Sequence, residues 1–356
     1  MKISVIGNGL IALILTKILI TRGIYVDIYF SNNINNNFDT RTIGITEENL
    51  LFLENYYPSL RKFGNSINEI KIFKDKDINK EILKFNLKNK SQFYVFQYNK
   101  FFKIIKKNFN RSKYIKIKNI STINKNNFFK HKLIIDTDLK NKFSLKYFNK
   151  KIVKNYFSKA YTAIIDHKKV DNNIAFQIFT KLGPLAFLPI NKKCTSIVFS
   201  IRGNSVEDFD VKQLIKNYNK KYIITKFSKI QKFDLKLSIQ RKYNKLNVLA
   251  FGDKLHNIHP LAGQGMNMSL RDIRILIKIL DQNIDLGLGL DQNIFKKFEK
   301  QTKHKNLVFA TGIDMIHEFF ELEKKIPARI SNKVFKLLNS SKFFIKLSSG
   351  LANKGL

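Results

Sequence analysis

The chain opens with an apolar run that is interrupted early. Ile3–Ile6 follows Lys2, Gly7-Asn8-Gly9 breaks the run, and Leu10–Arg22 resumes it before Gly23. A short apolar stretch bounded by Gly reads as a buried strand, and the longer one as a helix. With Tyr25–Phe30 as a second strand, this is a strand–turn–helix–strand unit. Ser31–Asn37 is nearly all Asn and reads as loop. Thr46–Tyr57 has helical character, with Pro58 to stop it. Asn65–Val95 alternates and reads as strands, Tyr98–Asn108 as an amphipathic helix, and Tyr114–Ile135 as two or three strands. Tyr161–Ile201 alternates again, with Gly183-Pro184 as a turn. Val211–Phe227 reads as helix, and Leu235–Arg241 and Asn247–Phe251 as strands. From Met266 onward the pattern is helical, with a loop at Asp285–Gly289. Asp281-Gln282-Asn283-Ile284 recurs at Asp291–Ile294, a local echo rather than a repeat architecture. With only five prolines and no Ser/Gly-rich tract, no linker stands out. Helices and strands alternate without a break, so the expected fold is α/β with domains woven together by several crossings.

Gly7-Asn8-Gly9-Leu10-Ile11-Ala12 is a GxGxxA between a strand and a helix. Gly7 permits the tight turn, Gly9 lets backbone approach a pyrophosphate, and Ala12 lets helix and strand pack closely. The helix N-terminus adds unpaired N–H groups and the positive end of its dipole. A dinucleotide site is the reading. One feature departs: Phe30 stands at the end of the second strand, where an acid would hold ribose hydroxyls, and Asp27 comes too early to replace it.

A second segment runs from Phe251 to Met268 and contains Gly252, Asp253, His256, His259, Pro260, Ala262-Gly263-Gln264-Gly265 and Asn267, with Asp272 beyond. A strand delivers Asp253 to a cofactor edge, a Pro-rigidified turn follows, and then a Gly-rich helix N-terminus. This segment resembles the FAD-dependent ubiquinone-biosynthesis hydroxylases, the 2-polyprenylphenol hydroxylase group with the p-hydroxybenzoate hydroxylase fold. Their pattern is roughly GDAAHxxHPxAGQGxN; Lys254 and Leu255 replace its two Ala positions. Asp39-Thr40-Arg41 resembles the family's D-x-R, and Gly183–Pro189 its GPLAxLP strand. Asp285-Leu286-Gly287, Thr311-Gly312 and Gly350-Leu351-Ala352 resemble further positions. The family's GADGxxSxxR corresponds to Ile135-Asp136-Thr137-Asp138-Leu139-Lys140. There Asp138 matches, Leu139 takes a Gly place, and no Arg follows.

The resemblance implies a Rossmann-like FAD-binding domain interwoven with an antiparallel-sheet substrate domain and a C-terminal helical region. The expected division is 1–70, 96–150 and 240–290 for FAD, 71–95 and 151–239 for the substrate sheet, and 291–356 for the helical region. It implies an FAD-dependent monooxygenase that hydroxylates a polyprenyl phenol of ubiquinone biosynthesis with NAD(P)H and O2. Gly7, Gly9, Ala12 and Arg41 are expected at the pyrophosphate and Asp253 at the sugar chain. Pro260, Gly263, Gln264, Gly265, Met266 and Asn267 would border the isoalloxazine. No catalytic residue is assigned, since the hard chemistry is the cofactor's. Two alternatives stay open: another flavin oxidoreductase on the same fold, and a non-catalytic scaffold in a quinone-biosynthesis complex.

Composition adjusts this picture at its edges. Lys plus Arg number 65 against 27 Asp plus Glu, a net charge of +38, with Lys far ahead of Arg. Lys, Asn and Ile richness follows A/T-rich codons, and Arg, the better bidentate reader, is scarce. No nucleic-acid partner is expected. Anionic headgroups are a better match for Lys, so peripheral contact with the inner membrane face is expected; the single cysteine fits a cytoplasmic setting, and the family resemblance implies other quinone-biosynthesis enzymes as neighbours. The N-terminal apolar run carries Lys17 and no cleavage site, so neither a signal peptide nor an anchor is expected. The single cysteine, Cys194, excludes an intramolecular disulfide and reads as an inert small hydrophobe. No metal site is expected. His256 and His259 read as loop-shaping residues, and His131, His167, His304 and His317 as surface or structural ones.

Overall fold

A computed structural model describes residues 1–30, 40–75, 77–86, 93–107, 109, 112–122, 132–203, 207–258 and 264–323. Two sheets carry the architecture. The first has six strands in the order Asn244–Lys245, Val248–Ala250, Ile134–Asp136, Lys2–Ile6, Tyr25–Phe30 and Ile115–Asn119. All its pairings are parallel except the edge hairpin of Asn244–Lys245 with Val248–Ala250. Its central strands are buried on both faces, which is why they read as unbroken apolar runs. The helix Leu10–Ile20 packs on it, with Ala12, Leu13, Ile14, Leu15, Ile18 and Leu19 buried.

The second sheet has nine strands. Its main path runs His256–Asn257, Gln231–Gln240, Lys151–His167, Cys194–Arg202, Pro184–Asn191, Ile174–Phe179, Glu69–Lys74 and Asp77–Asn86. Only the pairing of Ile174–Phe179 with Glu69–Lys74 is parallel. The helix Asp208–Tyr218 sends Val211 and Ile215 onto this sheet, against Tyr161, Phe187 and Phe199.

Three local readings change. Val211–Phe227 is not one helix: the helix ends at Tyr218, and Ile224–Phe227 is a strand pairing with the end of Lys151–His167. Asn219 stops the helix, its side chain accepting from the Lys221 and Tyr222 amides and donating to the Tyr222 carbonyl. Pro184 begins a strand rather than closing the turn before it. Phe93–Gln97 belongs to a separate three-stranded sheet with Thr42–Thr46 and Asn65–Ile67, so a boundary at residue 95 cuts through one strand.

Two helices close the described chain. Gln264–Asp285 and the first turns of Asn293–Glu323 share the core of the parallel sheet, through Leu270, Ile273, Leu276, Ile294, Phe295 and Phe298. Further along, Phe309, Ala310 and Ile313 pack on Tyr156, Leu235, Leu237 and Ile239 of the large sheet. One helix therefore binds to both sheets. Residues 324–356, with Gly350-Leu351-Ala352, lie outside the described residues, as do Ser31–Asn37, Asp39 and His131.

Candidate functional site

The parallel sheet aligns three strand ends. Ile6 is in register with Asp136, and Asp136 with Ala250. The turns that leave these ends, at Gly7, Thr137 and Gly252, therefore lie side by side at the carboxyl edge of the sheet. That edge is where open α/β sheets bind ligands.

Gly7 leaves the first strand with φ +122°, and its N–H donates to the Tyr29 carbonyl at 3.0 Å. A Cβ there would stand 2.1 Å from Thr137 Oγ1. Thr137 is held in turn by its amide and hydroxyl, which both donate to the Ile6 carbonyl at 2.9 and 2.8 Å. Gly9 caps the following helix in extended conformation with no side-chain cap. It is exposed, and a Cβ on it would meet nothing within 4 Å. The first N–H groups of the helix, which have no intrahelical partner, follow directly on this exposed glycine. No acidic side chain occupies its first turn.

Arg41 is exposed, and the structure shows why it stands where it does. Thr40 Oγ1 donates to Gln231 Oε1 at 2.7 Å and lies 3.1 Å from Thr162 Oγ1. Thr42 Oγ1 donates to Ser196 Oγ at 3.0 Å. Both neighbours of Arg41 are therefore tied to the large sheet. Its guanidinium lies over the Tyr98 ring, 5.7 Å from the centroid, and the Tyr98 amide donates to its carbonyl at 2.9 Å. Burial pushes the Tyr98 phenol up, the Arg41 charge pulls it down, and the Asp253 charge pushes it up again. The charges of Arg41 and Asp253, from separate parts of the chain, thus both act on one phenol. Asp253 is exposed, while Phe251, Gly252, Lys254, Leu255 and His256 around it are buried.

The flavin-edge candidates divide. Pro260 and Gly263, with His259, lie outside the described residues. Gln264 is buried, and its Oε1 has no hydrogen-bond partner among the described residues. Met266 is half-buried against the core of the parallel sheet. A Cβ on Gly265 would meet Ile258 at 3.9 Å. Asn267 is fully buried and works inside the protein. Its Oδ1 accepts from the Thr46 amide and from Asn49 Nδ2, each at 3.0 Å, and its Nδ2 donates to the Gly44 carbonyl at 3.0 Å.

Lys254, His256 and Cys194 differ from their local reading. Lys254, a departure from the family pattern, is buried and pairs with buried Asp136 at 2.8 Å. Desolvation pushes the Asp136 carboxyl up, and the Lys254 ammonium, the Ser144 hydroxyl and the Asp138 amide pull it down. His256 does more than shape a loop: fully buried, its Nε2 faces Asp272 Oδ2 at 2.8 Å and ties its strand to the helix Gln264–Asp285. Asp27 is held by Lys118 at 2.6 Å and Lys2 at 2.9 Å; burial raises its carboxyl, and the two lysines more than reverse this, leaving it below the usual range. Phe30 stacks on Phe109, centroids 6.4 Å apart. Cys194 Sγ donates to Asp166 Oδ1 at 3.0 Å, and burial, then Asp166, push the thiol up. His167 is a structural histidine between Thr195 Oγ1 and the Lys168 carbonyl.

Comparison with known proteins adds names to this geometry. Residues 185–285 match the FAD binding domain family. Over 114 residues the chain is 31% identical to a ubiquinone biosynthesis monooxygenase, COQ6, of Dictyostelium discoideum, covering 32% of this chain and 23% of that protein. It is 27% identical over 154 residues to the 3-demethoxyubiquinol 3-hydroxylase of Escherichia coli, covering 41% and 39%. Parts of the chain are thus similar to ubiquinone-biosynthesis hydroxylases, and residues 185–285 to an FAD binding domain. The aligned parts span less than half of either relative. In three dimensions it superposes on p-nitrophenol 4-monooxygenase PnpA of Pseudomonas putida with TM-score 0.75 at 11% identity, over 99% and 98% of the two chains. It superposes on an HpxO variant of Klebsiella pneumoniae, solved with FAD, with TM-score 0.72 at 11% identity, again over 99% and 98%. The fold is thus the p-hydroxybenzoate hydroxylase-like one.

The residues present fit FAD. The bare helix N-terminus offers N–H donors to a pyrophosphate, with open space at Gly9 where it would lie. For FAD, Arg41 would supply a cation, exposed Asp253 an acceptor for sugar hydroxyls, and Gln264 a buried oxygen with no hydrogen-bond partner among the described residues. Asp253→Ala should leave the fold intact and weaken flavin binding roughly ten- to hundredfold, the loss of a charge-assisted hydrogen bond of about 1.5–3 kcal/mol. Flavin occupancy of the purified variant measures this; full occupancy counts against Asp253 as a ligand.

Proposed function

We propose that this protein is an FAD-dependent monooxygenase that hydroxylates the ring of a polyprenyl phenol intermediate of ubiquinone biosynthesis. One ring C–H, O2, NAD(P)H and a proton would give C–OH, NAD(P)+ and water. The observation that supports the reading is the turn at Gly7–Gly9, with its uncapped helix, lying beside the turn that carries exposed Asp253 at the carboxyl edge of the parallel sheet. Its relatives by sequence are named ubiquinone-biosynthesis monooxygenases. When bound, FAD supplies the oxygen-activating redox chemistry. The chain's own part would be to hold and orient: Gly7 makes the turn and buried Ala12 seats the helix on the sheet, so that the helix N-terminus at exposed Gly9 receives the pyrophosphate, Arg41 neutralises it, and Asp253 fixes the sugar chain. The large sheet supplies the wall over the ring, and its ties to Thr40 and Thr42 keep that wall in register with Arg41. A closed wall excludes water from the reacting centre.

Cells lacking the protein should accumulate a ring-underhydroxylated prenyl phenol and lose ubiquinone under aerobic growth. Re-expression should restore it, with label entering the ring from O2 and not from water. Normal ubiquinone in a strain with no other hydroxylase for the step removes the proposal. Bound flavin that NAD(P)H bleaches without this product supports another flavin oxidoreductase, and absence of any flavin supports a scaffold.

The substrate class brings a surface with it. No helix among the described residues is long and apolar enough to cross a membrane. The net charge of +38 suits peripheral contact with an anionic leaflet, at about 1 kcal/mol per Lys near the surface. Sedimentation with anionic vesicles should therefore fall as salt rises, and equal binding to neutral vesicles would remove the electrostatic part of this reading.

A further inference from the structure

The two turns beside Gly7 are joined by a buried charge pair. Asp136 ends one strand and Lys254 closes the turn after the next, and their side chains are 0% and 1% exposed. Lys254 Nζ reaches Asp136 Oδ2 at 2.8 Å and donates to the Asp138 carbonyl at 2.7 Å. The carboxylate is saturated: Oδ1 accepts from the Asp138 amide at 3.0 Å, and Oδ2 from Asn141 Nδ2 at 2.9 Å, Ser144 Oγ and Lys254. The Lys254 carbonyl is held as well, accepting from Gln240 Nε2 at 3.1 Å. Three of these six bonds lie within the two turns, and the other three tie the pair to Asn141, Ser144 and Gln240 around them.

Stability does not account for such a pair, because apolar residues of similar volume in a core usually serve as well or better. Composition does not account for it either. Codon drift scatters lysines on surfaces; it does not supply a buried lysine with a matching buried carboxylate. Aligning Asp138 with the Asp of GADG places Asp136 at a glycine, while Lys254 stands at an alanine of GDAAH. Two small residues have been exchanged for a long cation and an anion that meet. Their effect is local and directed. Asp253, the exposed carboxylate, is the residue before Lys254, and Thr137, the residue after Asp136, is the one that closes over Gly7.

We propose that Asp136 and Lys254 are a positioning pair that locks the Thr137–Asp138 turn and the Asp253 turn into one preformed wall of the dinucleotide site. The pair takes the place of the close backbone packing that small residues at these two positions would permit. This inference rests on the FAD reading. Preorganisation lowers the ordering cost of binding, so its signature is in flavin affinity rather than in folding.

The experiment compares native protein with Asp136→Asn, Lys254→Met and the double variant, each freed of flavin and titrated with FAD by fluorescence quenching, with thermal unfolding of the same samples. Each single variant should lose stability, since it leaves an unpaired buried group. The double variant should regain most of that stability and still bind FAD at least tenfold more weakly than native protein. Native FAD affinity in a stable double variant overturns the positioning role and leaves the pair purely structural. A double variant that does not fold also overturns it, by making the pair a folding requirement. Native protein that binds no FAD overturns the FAD reading itself, and this inference with it.

Discussion

Gly7→Ala should destabilise the protein by about 4 kcal/mol and abolish flavin retention. Two costs combine: a backbone at φ +122°, a region that side chains enter at about 1–3 kcal/mol, and a methyl forced into a filled site at about 1–3 kcal/mol. The obstacle does not yield. Thr137 Oγ1 would lie 2.1 Å from the new carbon, and it is the hydroxyl of a short side chain held to the Ile6 carbonyl. Thr137→Gly in the same chain should return part of the stability by removing the clash, but not the part due to φ. Gly9→Ala provides the contrast. Gly9 has φ −76° and ψ 171°, which alanine adopts freely, and open space around its missing Cβ. That variant should unfold at the native temperature and lose flavin, because the methyl enters the space where the pyrophosphate would lie. Two neighbouring glycines should thus fail differently, one through the fold and one through the ligand. Thermal unfolding and flavin occupancy separate them, and a Gly7→Ala variant as stable as native protein refutes the account of the turn.

The second large effect is expected at Asn267. Its side chain joins the start of the helix Gln264–Asp285 to the strand Thr42–Thr46 and the helix Glu47–Glu54 through three hydrogen bonds at 3.0 Å. Asn267→Ala leaves the Thr46 amide, the Asn49 side-chain amide and the Gly44 carbonyl without these partners in a buried site. At about 1–3 kcal/mol for each orphaned group, with some relaxation, the loss should be about 4 kcal/mol, a midpoint lower by roughly 5–10 °C. Asn267→Asp keeps both acceptor contacts and sets an oxygen against the Gly44 carbonyl, so it should also lose stability. Flavin should weaken in both as a consequence, because the helix N-terminus loses its brace. If Asn267→Ala unfolds like native protein, the bonds do not contribute as read.

Much of this was legible locally. Gly7, Gly9 and Ala12 announce a strand–turn–helix because a tight turn, a backbone approach and a close packing contact each demand a small residue at a defined spacing. The strand Lys2–Ile6 and the helix from Leu10 follow from apolar runs interrupted by glycine, and their observed bounds agree to within two residues. The segment from Gly252 to Asn267 pointed to the flavin family, and the match over residues 185–285 covers it.

What the sequence determined by itself was therefore whatever depends on neighbours in the chain: turn chemistry, element type, and a family likeness written in consecutive residues. Partner choice was decided only by tertiary structure. Ile224–Phe227 looks helical alone and becomes a strand because the end of Lys151–His167 offers unpaired backbone at the sheet edge. Asn267 looks like a flavin contact and is a brace, because Gly44, Thr46 and Asn49 arrive beside it from more than two hundred residues away. Lys254 and Asp136 read only as departures from two separate family patterns until parallel strands set Ala250 beside Asp136 and bury both charges together. A charge in an apolar place shows in the sequence, but its counter-charge is chosen by strand order, and strand order is fixed by long-range burial that no local pattern encodes.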